Sequence, residues 1–106
     1  MATKTAKKVT GVEKVNMDYG RVPPQAIDLE EAVLGAIMLE KDAVIAVLDI
    51  LKPESFYKEA HQKIYQAIID LSMNQQPIDI LTITEELKKR EVLNEVGGAL
   101  YITQLT

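Results

Sequence analysis

Apolar side chains recur at helical spacing along most of the chain, and strict alternation is nowhere sustained. Leu29, Ala32, Val33, Ala36 and Ile37 follow i, i+3, i+4, i+7 and i+8, the signature of one buried helix face, and Leu34 and Met38 widen the stripe. The pattern predicts a first helix starting after Asp28, whose carboxylate can accept an open amide while Glu31 completes a capping box. Gly35 inside it costs about 1 kcal/mol relative to alanine, so a neighbouring helix is expected to approach closely there. A second helix is expected from Asp42, burying Val44, Val47, Leu48 and Leu51 and ending at Pro53. Residues 53–57 read as a turn whose aromatics, Phe56 and Tyr57, tuck into the core. A third helix is expected over Lys58–Met73, with Ala60, Ile64, Ala67, Ile68 and Leu71 as its buried stripe and Tyr57, His61 and Tyr65 beside it.

Asn74–Pro77 is a polar loop, and residues 78–81 are an apolar stretch too short to build a sheet. A fourth helix is expected near Thr82, capped by Thr82 with Glu85, with Ile83 and Leu87 inward and Lys88, Lys89 and Arg90 at its negative end. Gly97-Gly98 reads as a tight turn needing positive φ, before a fifth helix from about Ala99. Thr106 falls only about two turns into that helix, so the chain is expected to be a fragment. The expected fold is all-α, about five helices, with no repeat.

The chain has 106 residues, room for one domain, and residues 1–21 stand apart from the rest. Those residues lack helical periodicity and carry five basic groups against two acidic ones, for +3; they read as a flexible basic arm. Residues 22–106 carry seven basic and fourteen acidic groups, for −7, a charge that opposes binding to a phosphate backbone. With no cysteine, disulfides, thiolate metal sites and cysteine nucleophiles are excluded. No membrane-length apolar run and no secretory h-region occur, which makes a cytoplasmic protein the default.

Candidate chemistry is sparse. A P-loop, G-x-x-x-x-G-K-[ST], is absent, and no lysine follows the one glycine pair. The single histidine, His61, makes at most a loose pair with Glu54 or Glu59, below the three ligands usual for catalytic zinc. It is read as a partly buried helix residue hydrogen-bonded to a neighbour. Ser55 and His61 lack a third triad member. The acidic pairs Glu30-Glu31 and Glu85-Glu86 read as exposed residues at helix N-termini, explained by the helix dipole. No catalytic, cofactor or metal residue is assigned. Met38, Ile45, Ile50 and Ile69 lie off the main stripes, as a second packing layer or as an exposed patch of the kind that meets a partner.

Four stretches in order are RVPPQAIDLEEAVLGAIML at 21–39, FYKEAHQKIYQAIIDL at 56–71, QPIDILTITEEL at 76–87 and EVGGALYITQL at 95–105. As an ordered set they resemble the N-terminal domain of bacterial DnaB-family replicative DNA helicases. The resemblance implies a compact orthogonal bundle of about five to six helices, cut before a helical hairpin that pairs neighbouring subunits. It implies a parent ring hexamer that unwinds DNA in the bacterial cytoplasm at the nucleoid-associated replisome. The parent's ATP and Mg2+ belong to a RecA-like motor absent from this chain, so no cofactor is expected here. The implied partners are a DnaG-type primase, in some lineages a helicase loader, and other helicase subunits, with no strong DNA binding by this domain and no membrane. On this resemblance Pro24, Gly35, Phe56, His61, Asp79 and Gly98 are architectural, setting turns, close packing and caps. Tyr101, an amphipathic aromatic early in the last helix, is the candidate partner contact, with Leu100 and Leu105 serving the core. The competing readings are an unrelated helical adaptor and a helical nucleic-acid-binding domain led by its basic arm.

Overall fold

The computed structural model describes residues 24–106; the expected arm at 1–21 lies outside the described residues. Five α-helices follow in order: α1 (Pro24–Leu39), α2 (Lys41–Leu48), α3 (Glu59–Met73), α4 (Ile80–Lys89) and α5 (Gly98–Gln104), with a 3-10 turn at Pro53–Ser55. No strand occurs among the described residues, as the helical periodicity predicts. α3 is the hub: it packs on the 3-10 turn, on α1 and on α4, while α2 lies on α1 and α5 on α4.

α3 is central because its inward positions carry no exposed polar group. His61, Ile64, Tyr65, Ala67, Ile68 and Leu71 are all buried, and they recur every three or four residues. Tyr65 also serves α2: its hydroxyl donates to the Leu51 carbonyl at 2.9 Å, satisfying an acceptor just past that helix's end. α2 ends at Leu48, five residues before Pro53, which instead opens the 3-10 turn. Phe56 is buried against the Tyr65 ring, with centroids 5.1 Å apart. Tyr57, expected to tuck in beside it, is 60% exposed.

The first and fourth helices both begin earlier than the sequence predicts. α1 opens at Pro24, and a proline lacks only the amide that a first helical residue leaves unbonded anyway. Asp28 is therefore a residue within the helix and not its cap. The buried face is rotated too: Leu34, Ile37 and Met38 are core, whereas Leu29 is 66% exposed and Ala32 and Ala36 face solvent. In α4 the cap is Asp79. Its Oδ1 accepts the Thr82 amide at 2.9 Å while the Thr82 hydroxyl accepts the Asp79 amide at 3.0 Å, so Thr82 is the third residue of the helix and not its start. At the C-terminal cap of α4, Arg90 joins Glu86 of that helix to Asp70 on α3, at 2.8 and 2.6 Å.

Gly35 meets the close approach expected of it. A Cβ there would lie 2.1 Å from the Leu105 carbonyl oxygen, so the end of α5 rests directly on the α1 backbone. Gly97 and Gly98 take φ of 114° and 80°, the left-handed conformations that let the chain turn into α5. Ile102 and Leu105 then reach the core, but Leu100 does not: it is 70% exposed.

Candidate functional site

Glu30 and Glu31 are not exposed dipole partners at a helix start. They sit in the second turn of α1, on the line that continues through Leu34, Ile37 and Met38, and both are half-buried. Glu85 and Glu86 likewise lie inside α4, where Glu86 pairs with Arg90. From α1, the Glu30 carboxylate reaches the start of α3. It accepts the backbone amides of Tyr57 and Lys58, placing an anion at the positive end of that helix. The same carboxylate stands 2.7 Å from Nδ1 of His61.

His61 is buried with no exposed surface, and both ring nitrogens are engaged. Its Nε2 is 2.6 Å from the Tyr101 hydroxyl, which donates to Glu31 at 2.7 Å. The His61 and Tyr101 rings lie nearly parallel, 7° apart, with centroids at 6.0 Å. Lys58 closes the outer side, its ammonium 4.6 Å from the centre of the Tyr101 ring and 3.4 Å from the hydroxyl. The edge of Phe56 closes the other side of the imidazole. Five polar side chains from α1, α3 with its approach, and α5 thus form one continuous network. Burial, followed by the bond to Glu31 and the charges of Glu31 and Glu30, pushes the Tyr101 hydroxyl well above the ordinary tyrosine range and keeps its proton in place.

This arrangement joins helices. A general base must reach a substrate proton, and the His61 ring is fully buried with its two nitrogens engaged by Glu30 and Tyr101. His61 pairs with Glu30 and not with Glu54 or Glu59, and Ser55 is occupied in its own turn, accepting the Lys52 amide. Among the described residues no three His, Cys, Asp or Glu side chains group as metal ligands, and no helix is long and apolar enough to cross a membrane.

The surface is where apolar groups remain. Leu39, Ile45, Ile50, Leu81 and Leu100 are each about two-thirds exposed or more. Of the four off-stripe residues, Met38 is core, Ile69 is half-buried, and Ile45 and Ile50 are exposed. An open groove of about 610 Å3 runs between Leu39, Ile45 and the loop at Gln76–Ile78.

The residues singled out in the sequence thus divide. Pro24, Gly35, Asp79 and Gly98 lie at a helix start, a helix contact, a cap and a left-handed turn; Phe56 lies in the core. His61 and Tyr101 come together, and the hydroxyl of Tyr101 points into the network and not to a wet rim. Glu30, Glu31 and Lys58 are the members that sequence reasoning missed. Their signal is the spacing Glu30, Glu31, Leu34, Met38, helical and continuous, with carboxylates at two core positions.

The fold and site together define an all-helical domain with an apolar core, a polar network that ties three of its helices together, and several large apolar side chains left on the surface. The family model described as "DnaB-like helicase N terminal domain" matches residues 22–106, and the chain belongs to that family. It is 43% identical over 95 residues to the replicative DNA helicase DnaB of Rhodothermus marinus, covering 90% of this chain and 10% of that protein. It is 45% identical over 85 residues to the replicative DNA helicase DnaB of Geobacillus stearothermophilus, covering 80% of this chain and 19% of the relative. The crystal structure of the N-terminal domain of DnaB helicase from Mycobacterium tuberculosis superposes with a TM-score of 0.75 at 44% identity, covering 79% of this chain and 61% of that one. The chain thus spans between a tenth and a fifth of the length of these two curated relatives.

Proposed function

We propose that this chain is the interaction and ring-assembly domain of a replicative DNA helicase, acting in the cytoplasm at the replisome. It contacts other helicase subunits, receives a DnaG-type primase and, in some lineages, a helicase loader. ATP and Mg2+ serve the parent's motor and not this domain. The observation that carries the reading is the family match across residues 22–106, at over 40% identity to proteins named replicative DNA helicases. The surface is in keeping with it. A body of charge −7 gains nothing from phosphate, and large apolar side chains stand free on a small domain.

The proposed primase contact is the solvent side of α5, with exposed Leu100 beside the half-buried Tyr101 ring. Tyr101→Ala also breaks the internal network, so Leu100→Ala is its companion, since that side chain leaves no core gap. The test titrates the cognate primase against the full helicase carrying each substitution. A central contact should lose about 2 kcal/mol, roughly thirtyfold in affinity, with the hexamer intact. Unchanged affinity in both variants rules the contact out.

A further inference from the structure

We infer that the junction of α1, α3 and α5 holds one proton more than a neutral imidazole and two carboxylates supply, making it a proton-dependent latch on α5. The proton count follows from the contacts alone, whatever partner the domain binds. Three short contacts run in series: Glu30 to His61 Nδ1 at 2.7 Å, His61 Nε2 to the Tyr101 hydroxyl at 2.6 Å, and that hydroxyl to Glu31 at 2.7 Å. Each needs its own hydrogen. Tyr101 brings one and a neutral imidazole brings one, so with both carboxylates ionised one contact would be two acceptors face to face. All three close only with a third proton.

That proton belongs on the imidazole. Both Glu30 oxygens already accept backbone amides at the start of α3, so that carboxylate is placed as an acceptor and not as a donor. Imidazole is also by nature more basic than a carboxylate by about two units. With both ring nitrogens protonated, Nδ1 donates to Glu30, Nε2 donates to Tyr101, and Tyr101 donates to Glu31. The charged and titratable groups of the network around the ring are then Glu30 and Glu31 from α1, Lys58 from the approach to α3 and Tyr101 from α5, so that two carboxylates are balanced by Lys58 and the imidazolium. Phe56 supplies the remaining wall. Loss of the proton leaves one of the three contacts unmade, and two of the three hold Tyr101 of α5.

A single substitution separates this latch from an ordinary buried histidine. In Glu31→Gln the amide N–H can donate to the Tyr101 oxygen, Tyr101 can donate to Nε2, and a neutral His61 can donate from Nδ1 to Glu30. All three contacts then close without the extra proton. His61 is the only histidine in the chain, so its ring nitrogens are read without assignment by 15N NMR. The expected result at neutral pH is two protonated ring nitrogens in the native chain and one in Glu31→Gln. A native chain showing a single protonated nitrogen at neutral pH overturns the inference, as does a folded Glu31→Gln showing two. Should the variant fail to fold, the native spectrum alone decides.

Discussion

Gly35→Ala should destabilise this domain although it places a better helix former inside a helix. The added Cβ would stand 2.1 Å from the Leu105 carbonyl oxygen, against ordinary contacts of 3.4–4 Å, so that carbonyl must retreat by more than 1 Å. The clash is with backbone and not with the end of a flexible side chain. Retreat also pulls on Ile102, which is fully buried, and on Leu105. Overpacking of this kind costs about 1–3 kcal/mol, and an encounter with main chain belongs at the upper end. Alanine returns about 1 kcal/mol of helix propensity. The net expectation is a loss of about 2 kcal/mol, or about 10 °C in melting temperature for a domain of this size. Thermal and urea unfolding followed by circular dichroism would measure it, and hydrogen exchange at Ile102 and Leu105 should quicken first. A variant that melts at or above the native temperature would show that α5 does not rest on α1 at Gly35.

Three further outcomes follow from the packing. Phe56→Ala removes a buried ring packed at a tilt against Tyr65 and should lower unfolding free energy by about 3–5 kcal/mol in urea titrations, with a loss under 1 kcal/mol contradicting its place in the core. Asp79→Ala deletes the α4 cap and should cost about 1 kcal/mol, most of it restored by Asp79→Asn. Burial raises the hydroxyls of Tyr65 and Tyr101 above the ordinary tyrosine range, so the folded state holds protons that the unfolded chain releases from about pH 10. Stability should therefore be full below that pH and fall above it, and ultraviolet titration should show these two tyrosinates forming only as the fold is lost; their ionisation in a still-folded chain would count against the burial argument.

Where the sequence reading succeeded, a single apolar stripe dominated. The inner face of α3 is Ile64, Ala67, Ile68 and Leu71, with polar residues opposite, and no second face competes. The double glycine turn was legible for a similar reason, since few residues other than glycine take φ of 80–114° readily. α1 was not legible in this way, because it offers two helical stripes. Leu29, Ala32, Val33, Ala36 and Ile37 are the more apolar, yet Leu29 and both alanines face solvent. The stripe that packs includes Glu30 and Glu31, and any reading that scores hydrophobicity alone rejects a face with two adjacent carboxylates. The start of α4 was misplaced because Thr82 and Asp79 cap each other reciprocally, and either alone looks like a helix start.

The same carboxylates explain why the site was harder to see than the fold. Their partners are 31 residues away for Glu30 and His61, and 70 for Glu31 and Tyr101. Local pattern cannot pair groups at such separations; only the packing of α1 and α5 against α3 brings them together. Read singly, His61 is a lone histidine beside an apolar stripe, Tyr101 an amphipathic aromatic, and Glu30-Glu31 a solvated pair. Each description is reasonable, and each misses that a buried polar group is stable only when its partners are also buried. A fully buried histidine with both nitrogens engaged therefore required two polar partners from elsewhere in the chain, and the core positions on α1 that hold carboxylates were where one of them had to be found. The polar network is thus part of the core, and its two carboxylates are residues that the hydrophobic pattern had assigned to the surface.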